Sequence, residues 1–362
     1  MSEAAAPTAL ETWRGVRVLI TGHTGFKGSW ATLWLDRLGA RVGGISLADP
    51  VSDPCLFDLA ELSKRCYDRR CDIADIDALR SAVTALDPEF IFHFAAQPIV
   101  RRGYASPRET WQTNVIGTAN LLEVIRDKRN IRGVIVATSD KCYRNDGTGR
   151  AFTEDDPLGG SDPYSASKAA QEMVVAGYRA LDDLPPIVTV RAGNVIGGGD
   201  WGEDRLVPDI SRAFAEARQP EIRQPNATRP WQHVLDCLNG YLELGARMLD
   251  TNALADSYNF GPDKNDSLTV YDVATRFAST WGDKTWHDAS TEQSGAPKEA
   301  TSLRLDNTRA RQDLGWSPRL NAGQSVDMAA TWYRNFAQNG GAHVLCCNDL
   351  ESFANATGSD QD

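Results

Sequence analysis

Short apolar runs alternate with stretches of helical spacing through the first two hundred residues. Residues 16–21 read as a buried strand, and 28–38 place Trp30, Leu33, Trp34 and Leu38 on one helical stripe. Residues 41–47 follow as a second strand, and 75–86 as a helix stopped by Asp87-Pro88. A strand at 90–95, a helix at 114–126, a strand at 132–138, a long helix at 164–181 and a strand at 186–191 continue the alternation. Strands separated by helices of ~10–15 residues predict right-handed βαβ units, hence an α/β fold built on a doubly wound parallel sheet.

The pattern changes at the breaker cluster Gly197-Gly198-Gly199-Asp200. Later segments are irregular and rich in Trp, Arg and Pro, which predicts a smaller, discontinuous C-terminal lobe for the substrate. Its expected pieces are about 197–232 and 263–335, with a return to the sheet near 258–261. Residues 15–196 plus about 233–262 then form the nucleotide-binding domain. Residues 1–14 are expected to be a flexible leader and 336–362 a tail, frayed over its acidic end from Asn348.

Composition narrows the class. The 362 residues are enough for one large domain or two linked ones, and 41% apolar with 24% charged residues suits a globular protein. A net charge of −11, uninterrupted by a basic patch, argues against nucleic-acid or anionic-membrane partners. No run approaches the ~20 apolar residues of a membrane span. The seven scattered cysteines show no metal-ligand spacing, so no metal is expected, and reduced thiols suit a cytoplasmic protein.

Three motifs carry chemistry. Gly22-His23-Thr24-Gly25-Phe26-Lys27-Gly28 sits between the first strand and the first helix. Gly22 permits the tight turn, Gly25 lets backbone approach a pyrophosphate, and Gly28 lets the helix pack on the strand. The second strand runs Ser46-Leu47-Ala48-Asp49, where Asp49 or Ser46 would meet the ribose; with no Arg or Lys there, NAD is favoured over NADP. Asp72 and Ile73 either reach the adenine or form a plain surface turn. Ala95, Ala96 and Gln97, at a strand end, offer small residues beside a flat cofactor ring.

The second motif is Thr138-Ser139-Asp140-Lys141-Cys142-Tyr143, which closes the strand at 132–138. The third is Tyr164-Ser-Ala-Ser-Lys168, whose ends share a helix face at i, i+4. A Tyr acting as a base needs a lowered pKa, and a nearby Lys168 ammonium would supply that pull. Ser139, Tyr164 and Lys168 suffice for hydride transfer. Asp140 and Lys141 are surplus to it and indicate further proton chemistry.

Together with Asn114, these motifs resemble the extended short-chain dehydrogenases/reductases, over about residues 16–318. That resemblance implies a Rossmann fold and NAD. Within the superfamily the chain is similar to nucleotide-sugar 4,6-dehydratases. Residues 22–30, 139–143, 197–201 and Arg229-Pro230-Trp231-Gln232-His233 point to their CDP-glucose branch. Relatives acting on dTDP-glucose carry an acidic residue where this chain has Lys141, and simple 4-epimerases lack the acid–base pair.

The resemblance implies residue roles. Tyr164 would deprotonate the sugar 4-hydroxyl, Ser139 would hold it, and Lys168 would bind the nicotinamide ribose. Lys141 occupies the base position and Asp140 the acid position for elimination across C5 and C6, with the split between them left open. An amine base must be neutral, through desolvation or a neighbouring cation such as Lys168, and an acidic Asp must be raised from its ordinary ~3.9. Cofactor contacts are expected from Gly22, Thr24, Gly25, Phe26, Lys27, Gly28, Ser46, Asp72, Ile73, Ala95, Ala96, Gln97, Asn114, Tyr164 and Lys168. Arg205, Arg229 and Arg304, with Trp231, His233 and Asn194, are the candidates for the nucleotide diphosphate, since Arg matches phosphate in a fork.

The implied substrate is CDP-glucose, its product a deoxysugar precursor for polysaccharide, and the assembly a homodimer or homotetramer through helices near 114–126 and 164–181. A dehydratase or 4-epimerase acting on a dTDP-, UDP- or GDP-linked sugar is one alternative. A non-catalytic NAD-sensing protein is another, which the intact Ser139/Asp140/Lys141/Tyr164/Lys168 set argues against.

Overall fold

A computed structural model describes residues 9–50, 52–126, 128–250, 254–290 and 303–356. Seven strands form one all-parallel sheet: β1 (Arg17–Thr21), β2 (Arg41–Ser46), β3 (Tyr67–Arg70), β4 (Phe90–His93), β5 (Gly133–Ala137), β6 (Ile187–Ala192) and β7 (Ser257–Phe260). Their order is β3-β2-β1-β4-β5-β6-β7. The order reverses between β1 and β4, the switch point where a parallel sheet opens a crevice at its carboxyl ends.

Alternate residues of each strand feed opposite cores. Leu19, Ile91, Val134 and Val136 pack with helices α2 (Ile76–Leu86), α3 (Gly117–Ile125) and α4 (Pro163–Arg179). Val18, Ile20, Phe90, Phe92 and Ile135 face the other way, toward α1 (Phe26–Arg37) and α6 (Val234–Asp250). α5 (Leu206–Ala215), α7 (Val270–Gly282), α8 (Ala322–Ala337) and four short strand pairs make up most of the rest.

Several features depart from the sequence expectation. α1 is buried around its circumference from Gly28 to Leu35 rather than along one stripe. The sheet takes one side, and α9 (Ala342–Asn355) covers another through Trp34 against Phe353 at 5.7 Å. Trp30 Nε1 donates to Gly198 O at 2.9 Å, fastening α1 to the breaker cluster. Residues 1–8 of the expected leader, and 357–362 of the tail, lie outside the described residues. Ala9–Trp13 is a helical turn rather than a loose leader, because Trp13 is fully buried edge-on against Phe90 and donates to Leu242 O. The tail holds α9 to Asn355 because Phe353 is buried at its far end. β3 escaped the pattern reading: Tyr-Asp-Arg-Arg is a mostly exposed edge strand with no apolar alternation.

Candidate active site

One cleft lies over the carboxyl ends of the parallel strands. Its floor begins at β1, where Gly22 has φ +75° and a Cβ there would lie 2.7 Å from Ala95 N. A Cβ on Gly28 would sit 2.1 Å from Gly22 O, so only glycine lets α1 start this close to the strand. No side chain caps the helix N-terminus at Gly25, which leaves its N–H groups directed to the cleft.

Thr24, Gly25, Phe26, Lys27, Ser46, Asp49, Asp72, Ile73, Ala95, Ala96 and Gln97 all line this cleft. Some of their polar atoms have local partners. Ser46 Oγ pairs with His23 Nδ1 at 2.9 Å and accepts from Thr24 N at 3.2 Å. Asp72 accepts from Ala74 N at 2.9 Å. The Gln97 amide donates to Thr110 Oγ1 and accepts from Ile99 N, which sets the loop after β4. Lys27 places its ammonium 5.6 Å over the Tyr241 ring. Asn114 does not line the cleft. It is fully buried, accepting from Gln97 N at 2.8 Å and donating to Gln97 O and Ser167 Oγ, so it ties the β4 loop to α4.

The end of β5 carries the second motif into the same space. Ser139 caps the short turn Asp140–Cys142, accepting from Lys141 N at 3.2 Å and donating to Asp140 Oδ1 at 2.9 Å. Asp140 is 3% exposed. A Cβ on Gly193 would lie 3.2 Å from Asp140 Oδ2, so the glycine after β6 gives the carboxylate its room. Lys141 is half-buried on the cleft wall, and among the described residues its ammonium forms no hydrogen bond or ion pair. An amino group left out of any structural pair is free to act on a ligand.

Tyr164 and Lys168 reach the cleft from the first turns of α4, whose start is fixed by Asp162 accepting from Tyr164 N and Ser165 N. Burial pushes the Tyr164 phenol up to about 12; a hydrogen bond with Ser139 opposes this, Asp140 reinforces it, and Arg205 also opposes it. The downward pull expected from Lys168 is therefore not what governs the phenol, and the cation acting on it is Arg205. The reason is geometric, since Lys168 Nζ is turned to Ala137 O at 3.3 Å and Gln171 Oε1 at 3.0 Å. Burial, then the Lys27 charge, lowers Lys168 to about 7.

Arg205 is held by Asp200 at 2.7 Å and lines the cleft, as do Asn194, Arg229 and Trp231. Trp231 is 4% exposed and its Nε1 donates to Leu268 O, so it also packs the lobe. Arg304 is absent from the cleft lining although its neighbour Leu303 is part of it; Arg304 sits in a short strand pair with Ala151–Phe152. His233 is also off it; it is fully buried, accepts from Leu235 N, and burial lowers it to about 3. Neither residue is among those lining the cleft.

A buried polar chain escaped the sequence reading. Lys168 donates to Gln171, Gln171 Nε2 donates to Thr118 Oγ1 at 2.9 Å, and His93 bridges Thr118 and Thr21 at 2.9 and 2.7 Å. A histidine ending the apolar run Phe90-Ile91-Phe92 was its one visible signal.

A family profile described as GDP-mannose 4,6 dehydratase matches residues 19–329. The chain belongs to that family. CDP-glucose 4,6-dehydratase of Salmonella typhimurium is 41% identical over 94% of this chain and 96% of its own length. UDP-glucose 4-epimerase of Mycolicibacterium smegmatis is 30% identical over 89% of this chain and all of its own. Among solved structures, a UDP-glucose 4-epimerase of Thermotoga maritima with UDP-glucose superimposes with a TM-score of 0.75 at 20% identity, covering 88% of this chain and 99% of that one. A dTDP-glucose 4,6-dehydratase of Bacillus anthracis in complex with NAD gives 0.72 at 22% identity, over 88% and 96%. At those identities the superpositions speak for the fold alone.

Proposed function

We propose that this dehydratase-family chain is an NAD-dependent hydro-lyase converting CDP-glucose to CDP-4-dehydro-6-deoxyglucose and water. The observation that carries the reading is the meeting of Asp140 and an unpaired Lys141 with Ser139, Tyr164 and Lys168 at one strand end. An oxidoreductase needs only the last three. The CDP-linked substrate is supported by the 41% identity to the Salmonella enzyme across nearly the whole of both chains.

The residues present fit a dinucleotide: the Gly22–Gly28 turn leaves a cradle that a Cβ would fill, over the open N-terminus of α1. NAD held there supplies the hydride acceptor for C4 oxidation and the donor for C6. Tyr164, in its phenolate form, takes the proton of the 4-hydroxyl, which Ser139 orients. The 4-ketone then acidifies C5–H. A base, assigned to Lys141 as the neutral amine, removes that proton; the C5–C6 double bond forms; and the C6 hydroxyl leaves as water with a proton from Asp140 in its carboxylic acid form. Reduction at C6 and reprotonation at C5 complete the balance. Arg205 and Arg229 provide cationic donors for the diphosphate, with Asn194 and Trp231 on the same wall.

Turnover of CDP-glucose, in a panel with dTDP-, UDP- and GDP-glucose, is expected without added reductant. Deuterium placed at C4 is expected at C6 of the product. Label released to solvent or to free reduced cofactor would sink the internal return, and preference for another nucleotide would move the specificity.

Residues 15–196 and about 233–262 serve in this reading as the cofactor domain, and 197–232 with 263–335 as the substrate lobe. No helix of the described residues is long and apolar enough to cross a membrane, and all seven cysteines are free thiols, which supports a cytoplasmic setting. A second copy of this chain is the proposed partner. Trp111, Ile116 and Met173 are 40%, 51% and 57% exposed on helical segments that pack together, an apolar face suited to a symmetric pair. Met173→Glu is expected to convert a dimer to monomers in sedimentation velocity; an unchanged mass would place the interface elsewhere.

A further inference from the structure

Behind the β5 end lies a buried ionic cluster that the proposed chemistry does not use. Glu172 of α4 and Arg191 of β6 are each 4% exposed. Arg191 Nε and Nη2 donate to the two carboxylate oxygens at 2.8 and 2.9 Å. The same oxygens accept from Thr138 Oγ1 at 2.5 Å and Thr189 Oγ1 at 2.8 Å. On its other side Arg191 Nη1 donates to Tyr143 OH at 2.7 Å and to Glu154 O at 3.1 Å. Tyr143 OH donates in turn to Asn259 Oδ1 of β7 at 2.8 Å, and its ring stacks on Phe152 at 5.1 Å.

Thr138 and Tyr143 are the residues on either side of Ser139-Asp140-Lys141-Cys142. Glu172 stands four residues beyond Lys168 on the helix that also carries Tyr164. One buried carboxylate–guanidinium fork therefore touches both ends of the turn bearing the elimination pair and the helix bearing the oxidation pair. A buried ion pair is weak grounds for stability, since desolvation offsets most of its attraction. It does have direction: two parallel bonds from a planar guanidinium set distance and angle together.

Resting on the dehydratase reading, we infer that Glu172 and Arg191 are positioning residues that hold Asp140 and Lys141 in register with Tyr164 and Lys168. The Thr138 arm registers Ser139, and the Tyr143 arm registers Lys141. Substituting either charge would leave its partner buried without a countercharge, so the two arms are the informative targets.

In single turnovers with CDP-glucose, C4 oxidation is read from reduced cofactor absorbance and elimination from loss of the C5 proton. Tyr143→Phe keeps the stacked ring and removes only the hydroxyl. It is expected to slow elimination roughly ten- to a hundredfold, leave oxidation within about twofold, and let reduced cofactor accumulate. Thr138→Val is expected to slow oxidation, and Thr138→Ser, which restores the hydroxyl, to recover it. Parallel loss of both steps with a lower melting temperature would make the cluster structural and overturn the inference. So would two variants indistinguishable from the parent. The unmodified enzyme run alongside separates the two failures: if it turns over no nucleotide sugar, the dehydratase reading fails and this inference falls with it.

Discussion

Lys141→Ala is expected to bind NAD and oxidise the sugar at C4, yet to stall before water is lost, with elimination slowed by roughly 10²–10⁴-fold. The side chain stands half-buried on the cleft wall, and its ammonium forms no hydrogen bond or ion pair among the described residues. Its removal therefore breaks no structural pair, and the fold should tolerate it. The check is a single-turnover experiment following reduced cofactor, C5 proton exchange and product together. Reduced cofactor that forms at the normal rate and then persists would match the expectation. Lost cofactor affinity would instead make Lys141 a structural residue, and unimpaired dehydration would transfer the base role elsewhere.

The cofactor-free protein is expected to gain stability as pH rises above about 7, and Lys168 is the reason. Burial, reinforced by the Lys27 charge, lowers Lys168 from 10.5 to about 7. Between those values the unfolded chain holds a proton that the folded chain does not, so the folded state is increasingly favoured as protons become scarce. The contribution is complete above the unfolded value and is lost as pH falls through about 7. Its full span corresponds to about 5 kcal/mol as an upper figure. Lys168→Met removes the titration while costing a pH-independent amount for the unpaired Ala137 O and Gln171 Oε1. The informative quantity is thus the slope of urea-unfolding free energy against pH, not its level. Equal slopes for the parent and the variant would show that Lys168 titrates normally.

Much of the frame was legible in the chain. Apolar runs such as 16–21 and 132–138 are strands, and the glycine turn opens α1 where its spacing required. The charged edge strand β3 carried no such signal, because an exposed edge needs no apolar alternation. Trp13 and Phe353 were hidden for a different reason: each is a lone aromatic in a polar stretch, and only the core into which it fits explains its burial.

The site divides along a similar line. Ser139, Asp140, Lys141, Tyr164 and Lys168 do converge on one cleft. Arg304 and His233, chosen by residue type and neighbourhood, do not line it. Lys168 was expected to act on Tyr164, but its ammonium faces Ala137 and Gln171 instead.

The succession of strands and helices along the chain, β3 excepted, the glycine turn after β1 and the presence of an Asp–Lys pair at a strand end were set by the sequence itself. These depend on periodicity and on steric limits at single positions, which local chain chemistry dictates. Which cation faces Tyr164, which buried carboxylate braces the β5 end, and which arginines enter the cleft were decided only in three dimensions. Those contacts join residues tens of positions apart across β5, α4, β6 and β7, and their partners are chosen by helix and strand packing rather than by neighbours in the chain.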